Sequence, residues 1–167
     1  MNVLENVMVG GHRSSRSEFL SCALRLPGQR DEEARLRNVA LQELEFVGLQ
    51  HLAGFSAAAL TFGQRRMTEL ARSLATEPEM LLLDEPASGL NTGEKRELAA
   101  LIQRIRQRGI TILLVEHDMS MVMKLSDSVV VLHNGAKIAE GTPGEVQSNE
   151  KVIRVYLGGE TDNVAAG

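Results

Sequence analysis

The chain has 167 residues, of which 43% are hydrophobic and 24% are charged, a composition typical of a globular protein that buries its own core. The formal net charge of −4 argues against an electrostatic nucleic-acid binder, so no nucleic-acid partner is expected. One cysteine, Cys22, excludes an intramolecular disulfide, and the sequence contains neither a signal peptide nor an apolar run of the ~20 residues that span a bilayer. We therefore expect a soluble, cytoplasmic protein that reaches a membrane only through a partner.

Residues 1–76 are predicted to form a helical segment, because apolar residues recur there at spacings of three and four. One helix should end at the Gly10-Gly11 pair, and a second should run from an N-cap at Asp31 to about Phe46. A third should begin near Gly63. The same segment contains a concentration of arginines, which fits either a solvated surface or a docking surface for an acidic partner. These arginines are Arg13, Arg16, Arg25, Arg30, Arg35 and Arg37.

Residues 77–142 alternate short apolar runs with amphipathic segments, which predicts strand–helix–strand units and a parallel sheet. The expected strands are Met80–Leu83, Ile110–Val115 and Ser128–Leu132, and the first two should be buried on both faces. Asn134-Gly135 predicts a β-hairpin after the third strand. Residues 143–158 should form a short helical extension, and residues 159–167 a loose tail. The predicted class is therefore α/β, with a helical segment placed before the sheet.

The first chemically informative motif is the run from Leu81 to Pro86, in which Asp84 and Glu85 follow a predicted strand. The carboxyl edge of a parallel sheet is where open α/β folds bind ligands. In nucleotide hydrolases an acid at this edge holds Mg²⁺ and a second group orients the attacking water. The alternative is that Asp84 only caps the next element and Glu85 is solvated.

Further polar residues are predicted to reach the same edge. Ser88-Gly89-Leu90-Asn91 forms a tight polar turn directly after the acids, and His117 follows the next predicted strand. Upstream, Leu60-Thr61-Phe62-Gly63-Gln64 opens a predicted helix. The N–H groups of a helix start suit an anion such as phosphate, although Thr61 could equally be an ordinary N-cap.

Taken in this order and spacing, the motifs resemble four motifs of the ATPase subunits of ABC transporters. Leu60–Gln64 resembles the signature motif, Leu81–Glu85 the Walker B motif, Ser88–Asn91 the D-loop and His117 the switch histidine. Phe62 stands where most members carry glycine, which is similar to one branch of branched-chain amino acid importer ATPases. Residues 141–158 are similar to the C-terminal extension of that branch, and residues 3–7 to the stretch after its Q-loop.

The resemblance implies an ATPase that works as a head-to-tail dimer of two subunits with ATP and Mg²⁺ between them. It implies that Asp84 binds Mg²⁺ through water, that Glu85 polarises the attacking water and that His117 contacts the γ-phosphate. The signature residues would contact ATP held by the opposite subunit, and Ser88, Gly89 and Asn91 would link the two sites. These signature residues are Thr61, Phe62, Gly63 and Gln64.

The resemblance also implies partners and a location. The partners are membrane permease subunits, and indirectly a periplasmic amino-acid-binding protein, so the chain would lie on the cytoplasmic face of the plasma membrane. Residues 1–60 would lie nearest to the permease. Thr61 keeps the hydroxyl of the usual serine, whereas Asn91 replaces a commoner aspartate and loses its charge.

One motif of the family, the phosphate-binding GxxGxGK[ST] loop, has no counterpart in this sequence. The lysines are Lys95, Lys124, Lys137 and Lys151, and none follows a glycine. No Gly-Lys pair can therefore cradle the β- and γ-phosphates. We expect no ATPase activity from this chain alone, and we expect apolar sheet surface that the missing strands would cover to be exposed.

Three alternatives remain open from the sequence. The first is an ATPase of another ABC system, such as an amide, urea or lipopolysaccharide transporter. The second is a non-enzymatic product, either truncated or acting as an interaction module that supplies only the signature face. The third is a DNA-repair or translation ATPase, which is disfavoured because no long insertion or second cassette is visible.

Overall fold

A computed structural model describes residues 1–11 and 28–156 of the chain. These residues divide between two compact units, Met1–Leu113 and Leu114–Gly167. Arg13, Arg16 and Arg25, together with Cys22, lie outside the described residues, as does the predicted tail at 159–167.

The α-helices at the start of the first unit, among its described residues, are α1 (Val3–Gly11), α2 (Gly28–Phe46) and α3 (Phe62–Leu74). Helix α1 includes both glycines, and the residues after Gly11 lie outside the described ones, so its predicted end stays a prediction. Gly10 allows close packing against α3, because a Cβ at this position would collide with the backbone oxygen of Arg72.

Helix α2 begins at Gly28, three residues before the predicted start, so Asp31 lies in its first turn. An acid in the first turn interacts favourably with the helix dipole there. The predicted stop is confirmed, because Gly48 has a φ of 82° just beyond the last turn. The N–H of Leu49 donates to the carbonyl oxygen of Leu44 at 2.7 Å, and this bond closes a Schellman-type end in which both leucines are buried.

After α3 the chain forms one strand–helix–strand unit, β1 (Met80–Asp84), α4 (Thr92–Gln107) and β2 (Thr111–Val115). The two strands are neighbours in one two-stranded sheet. The N–H of Thr111 donates to the carbonyl oxygen of Glu79 at 3.0 Å, which joins the beginnings of both strands and fits parallel pairing. This arrangement confirms the predicted crossover and places the end of β1 next to the start of α4.

The sheet is buried on one face only. Leu81 and Leu83 are buried, whereas Met80 is 50% exposed, Leu82 68% and Leu113 50%. The prediction that these strands are buried on both faces is therefore wrong for the described structure. The exposed side chains are nevertheless apolar, as in strands that are covered on both sides. This agrees with the expectation of an uncovered apolar surface.

Helix α4 is joined to the end of α2 by a stack of charged and aromatic side chains. The guanidinium carbons of Arg104 and Arg108 lie 4.4 and 3.3 Å from the ring centroid of Phe46. Arg104 also donates to the carbonyl oxygen of Phe46 at 2.8 Å, and Arg108 pairs with Glu43 at 2.7 Å. These contacts fix the helical segment against the α/β segment within the first unit.

The second unit contains a β-hairpin and three short helices. Strands β3 and β4 pair antiparallel, with Val129 opposite Gly141. Asn134 and Gly135 have φ values of 48° and 76°, as a two-residue hairpin turn requires, so the hairpin prediction is confirmed. The elements are α5 (Met119–Leu125), β3 (Val129–His133), β4 (Ala136–Gly141), α6 (Pro143–Gln147) and α7 (Glu150–Tyr156).

Strand β3 pairs with β4, as the hairpin prediction requires, but it does not extend the sheet of β1 and β2 as the predicted parallel sheet would. A two-residue turn makes the hairpin the pairing with the smallest loop-closure cost. The core of this unit is made by Val129, Val131, Val146 and Val152. Within the described ranges, the helices are all too short or too polar to span a bilayer.

Candidate functional site

The start of α3 carries the first group of candidate residues. Thr61 is the N-cap, and its Oγ1 accepts a hydrogen bond from the N–H of Gln64 at 3.3 Å. The N–H of Thr61 donates in turn to Oε1 of Gln64 at 3.0 Å, which completes a capping box. Thr61 is therefore an N-cap, as the alternative interpretation allowed. Capping also fixes the polar side chains at an exposed helix start, where the partial positive charge favours anions.

The end of β1 carries the two candidate acids, Asp84 and Glu85, and both are exposed. The backbone of Glu85 has a φ of 42°, in the left-handed region. A non-glycine residue there costs about 1–2 kcal/mol. Strain of this kind is concentrated at functional sites in proteins, where it holds a side chain in a required direction.

The turn that follows the acids is short and tight. The N–H of Ser88 donates to the carbonyl oxygen of Glu85 at 3.1 Å, and the N–H of Leu90 donates to that of Ala87 at 3.2 Å. Gly89 has a φ of 75°, which favours glycine at this position. Ser88 and Gly89 are both exposed, while Ala87 and Leu90 are buried beneath them.

Asn91 closes the turn and caps α4. Its Oδ1 accepts from the N–H groups of Gly93 and Glu94 at 2.9 and 3.0 Å. The carboxylate of Glu94 accepts in return from the N–H of Asn91 at 2.9 Å. The structure thus gives Asn91 a capping role that an uncharged amide performs as well as a carboxylate.

These segments lie side by side within the first unit. A Cβ on Gly63 would lie 2.5 Å from Oε1 of Glu94, and a Cβ on Gly89 would lie 3.1 Å from Cε1 of Phe62. The start of α3 therefore contacts both the turn after β1 and the start of α4. The candidate residues from Thr61 to Asn91 form one surface, although 20 positions separate Gln64 from Asp84.

Glu94 is a residue of this surface that the motifs did not single out. It joins the two helix starts, because one carboxylate oxygen accepts from Asn91 and the other lies against Gly63. The spacing Asn-x-x-Glu at 91–94 is the sequence pattern of a capping box and could have indicated it.

His117 belongs to the second unit. It is exposed in the connection between β2 and α5. The next residue, Asp118, caps α5, and its Oδ1 accepts from the N–H of Met121 at 3.3 Å. Asp118 is thus the N-cap of α5.

The fit of this surface to Mg²⁺ and ATP can be judged from the donor set. Within the described ranges, no three His, Cys, Asp or Glu side chains are grouped to hold a metal. Nucleotide-bound Mg²⁺ needs only one or two carboxylates, so exposed Asp84 fits water-mediated binding. For ATP, the start of α3 offers N–H and hydroxyl donors to a phosphate, but the sequence provides no Gly-Lys cradle. The residues thus fit the outer side of a triphosphate and not its cradle.

The fold and the motif surface define a class of protein, and sequence profiles agree with it. The profile described as ABC transporter matches residues 2–88, and the one described as branched-chain amino acid ATP-binding cassette transporter matches residues 136–162. The chain therefore belongs to the ABC transporter family.

Individual relatives show which members of the family the chain is similar to. The chain is 43% identical over 159 residues to the high-affinity branched-chain amino acid transport ATP-binding protein BraF of Pseudomonas aeruginosa, which covers 95% of this chain and 62% of BraF. It is 42% identical, with the same coverage, to the corresponding protein LivG of Escherichia coli strain K12. The chain thus spans less than two thirds of the length of these relatives.

A solved structure gives the same result for the fold. The ADP conformation of MJ1267, an ATP-binding cassette of an ABC transporter, superposes with a TM-score of 0.75 at 32% sequence identity. The match covers 95% of this chain and 63% of that structure. The predicted fold class is confirmed: an α/β, P-loop NTPase-like domain of the ABC type, present in part.

Proposed function

We propose that this chain is part of the ATP-binding, ATP-hydrolysing subunit of an ABC importer for branched-chain amino acids. The observation that carries the proposal is the single surface formed by the start of α3, the turn after β1 and the start of α4. The relatives that share 42–43% of its residues are named as branched-chain amino acid transport proteins, which supports this cargo.

In the proposed arrangement, two subunits meet head to tail. Thr61, Gly63 and Gln64 contact the γ-phosphate of ATP held by the opposite subunit, and Phe62 borders that contact. The capping box supports this role, because it fixes Thr61 and Gln64 before a ligand arrives. Ser88–Asn91 lies beside them and links the two sites.

The acids after β1 have separate proposed roles. Asp84 would hold Mg²⁺, which would neutralise phosphate charge. Glu85 orients and polarises the attacking water, and its left-handed backbone, with a φ of 42°, supports a functional role at this position. His117 senses the γ-phosphate.

The proposed partners are a second ATP-binding subunit, membrane permease subunits and, indirectly, a periplasmic amino-acid-binding protein. The chain would lie on the cytoplasmic face of the plasma membrane. By itself it is proposed to be inactive, because none of its lysines follows a glycine.

The lack of a lysine that follows a glycine also favours a second candidate function. The chain would then act as a non-enzymatic interaction module that presents the signature surface to a complete partner. A variant of the first proposal is an ATP-binding subunit of an ABC transporter with a different cargo, because the ATP-binding subunit itself does not contact the cargo.

Mg²⁺-dependent binding of a fluorescent ATP analogue tests the first proposal. The chain alone should give no saturable binding, and Glu85→Gln should not change that result. Adding full-length BraF with a non-hydrolysable ATP analogue should recruit the chain, as followed by size-exclusion chromatography. Saturable binding by the chain alone would reveal a complete site and contradict the proposal.

Variants show whether the signature surface carries the recruitment. Thr61→Ala should weaken it about tenfold or more, since one charge-assisted hydrogen bond to phosphate contributes ~1.5–3 kcal/mol. Thr76→Ala is a matched control, because Thr76 follows the C-terminal end of α3, where its hydroxyl donates to the carbonyl oxygen of Ser73. Equal effects of the two variants would exclude the proposed contact.

A further inference from the structure

The aromatic ring of Phe62 lies directly over the turn that follows β1. A Cβ on Gly89 would be 3.1 Å from Cε1 and 3.3 Å from Cζ of this ring. These distances are shorter than ordinary van der Waals contact between carbon atoms, ~3.5–4.0 Å. The ring therefore occupies the space that any side chain at position 89 would need.

Two arginines of the same helix flank the ring. The guanidinium carbons of Arg65 and Arg66 lie 6.0 and 5.9 Å from the ring centroid of Phe62, at the limit for cation–π attraction. Arg66 is itself held by Glu69 at 2.9 Å. Both arginines therefore lie beside the ring, and the side chain of Phe62 is 47% exposed.

The turn is anchored by buried Ala87 and Leu90, while its tip is exposed. Two hydrogen bonds, from Ser88 to Glu85 and from Leu90 to Ala87, close it at 3.1 and 3.2 Å. Its tip at Gly89 is exposed and has a left-handed backbone. Short exposed turns of this kind open locally at small cost unless another element packs on them.

We propose that Phe62 is a positioning residue that holds the turn Glu85–Asn91 against the start of α3. Its ring and the contact of Gly63 with Glu94 join the two polar segments into one rigid surface. Position 89 then favours glycine for two reasons: the backbone has a φ of 75°, and the ring of Phe62 lies where a Cβ would be. The proposal rests on the proposed function only where this surface meets nucleotide.

Hydrogen exchange on the full 167-residue chain, without nucleotide, tests the contact. Phe62→Ala should lower the protection of the Leu90 amide on the order of tenfold, the size of coupling usual for residues in contact. Phe62→Tyr should keep it. The amide of Leu49, which closes α2, should stay protected and so shows that the fold is intact. Unchanged protection at Leu90 in Phe62→Ala would overturn the proposal.

A double-mutant cycle isolates the steric part. Gly89→Ala should reduce protection at Leu90 in the natural chain more strongly than in the Phe62→Ala background, where only the φ strain remains. Independent, multiplicative effects would contradict contact between the two residues. Phe55→Ala is the matched control, since Phe55 is also exposed, at 57%, and should leave Leu90 unaffected.

A further readout separates this inference from the proposed function. Phe62→Ala should weaken nucleotide-dependent recruitment to BraF, and Phe62→Tyr should restore it. If Phe62→Ala loses protection at Leu90 but the natural chain is not recruited to BraF, the proposed function is rejected and the positioning role is kept. If the natural chain is recruited but Phe62→Ala leaves protection at Leu90 unchanged, the positioning role is rejected and the proposed function is kept.

Discussion

Glu85 shows how a single residue can combine strain with a proposed catalytic role. Its φ of 42° is unfavourable for any side chain that has a Cβ. We expect Glu85→Gly to be more stable than Glu85→Ala by about 1 kcal/mol, because only glycine relieves the strain. Urea unfolding followed by circular dichroism measures the difference.

Arg96 supplies the control for this comparison, since it is exposed within α4. At position 96 the order of stability should reverse, with Arg96→Ala more stable than Arg96→Gly by about 1 kcal/mol, because glycine is unfavourable in the interior of a helix. If alanine were also the more stable residue at position 85, the strained backbone would not hold in solution.

At the scale of one element, the start of α6 is pH-sensitive. Backbone and side-chain hydrogen bonds from Thr142 lower the pKa of Glu145 below its ordinary value of 4.5. The bonds to the Glu145 carboxylate are therefore at full strength above that value and weaken as the pH falls through the lowered pKa of the folded state, because a neutral carboxyl is a weaker acceptor. We expect the Thr142 amide to lose protection from exchange below about pH 4.5.

Glu145→Gln should remove this pH dependence, because a neutral amide still accepts from Thr142 but does not titrate near pH 4. Glu150→Gln, at the start of α7, removes one carboxyl from the neighbouring helix and is the control. A pH profile in Glu145→Gln that matches the natural chain would assign the transition to another group.

At the scale of the whole molecule, the exposed face of the β1–β2 sheet determines behaviour in solution. Exposed apolar side chains on an uncovered sheet promote association. Leu82, at 68% exposure, is the most exposed of them. We expect the chain to self-associate and Leu82→Lys to shift it toward monomer in sedimentation velocity.

Gln103→Lys introduces the same charge on exposed α4 and separates a local effect from a change in net charge. Equal effects of the two substitutions would mean that charge, and not the apolar face, governs association. A monomeric natural chain at high concentration would contradict the prediction directly.

Local patterns in the sequence were enough to predict most helices, the crossover and the hairpin. The Asn134-Gly135 pair is an example, since it needs a backbone conformation that few other residues adopt easily. The motifs from Thr61 to His117 also carried the family resemblance, because phosphate and metal chemistry restricts residue type and spacing. That part of the site needed no knowledge of packing.

Only the tertiary structure decided which elements pack together. Gly10 lies close against α3, and Phe62 lies over Gly89 because the chain returns after β1 to the start of α3. Strand burial was overestimated since an apolar run records what a strand is suited to contact, not what covers it. Such contacts join residues far apart in the chain, so the local sequence pattern does not contain them.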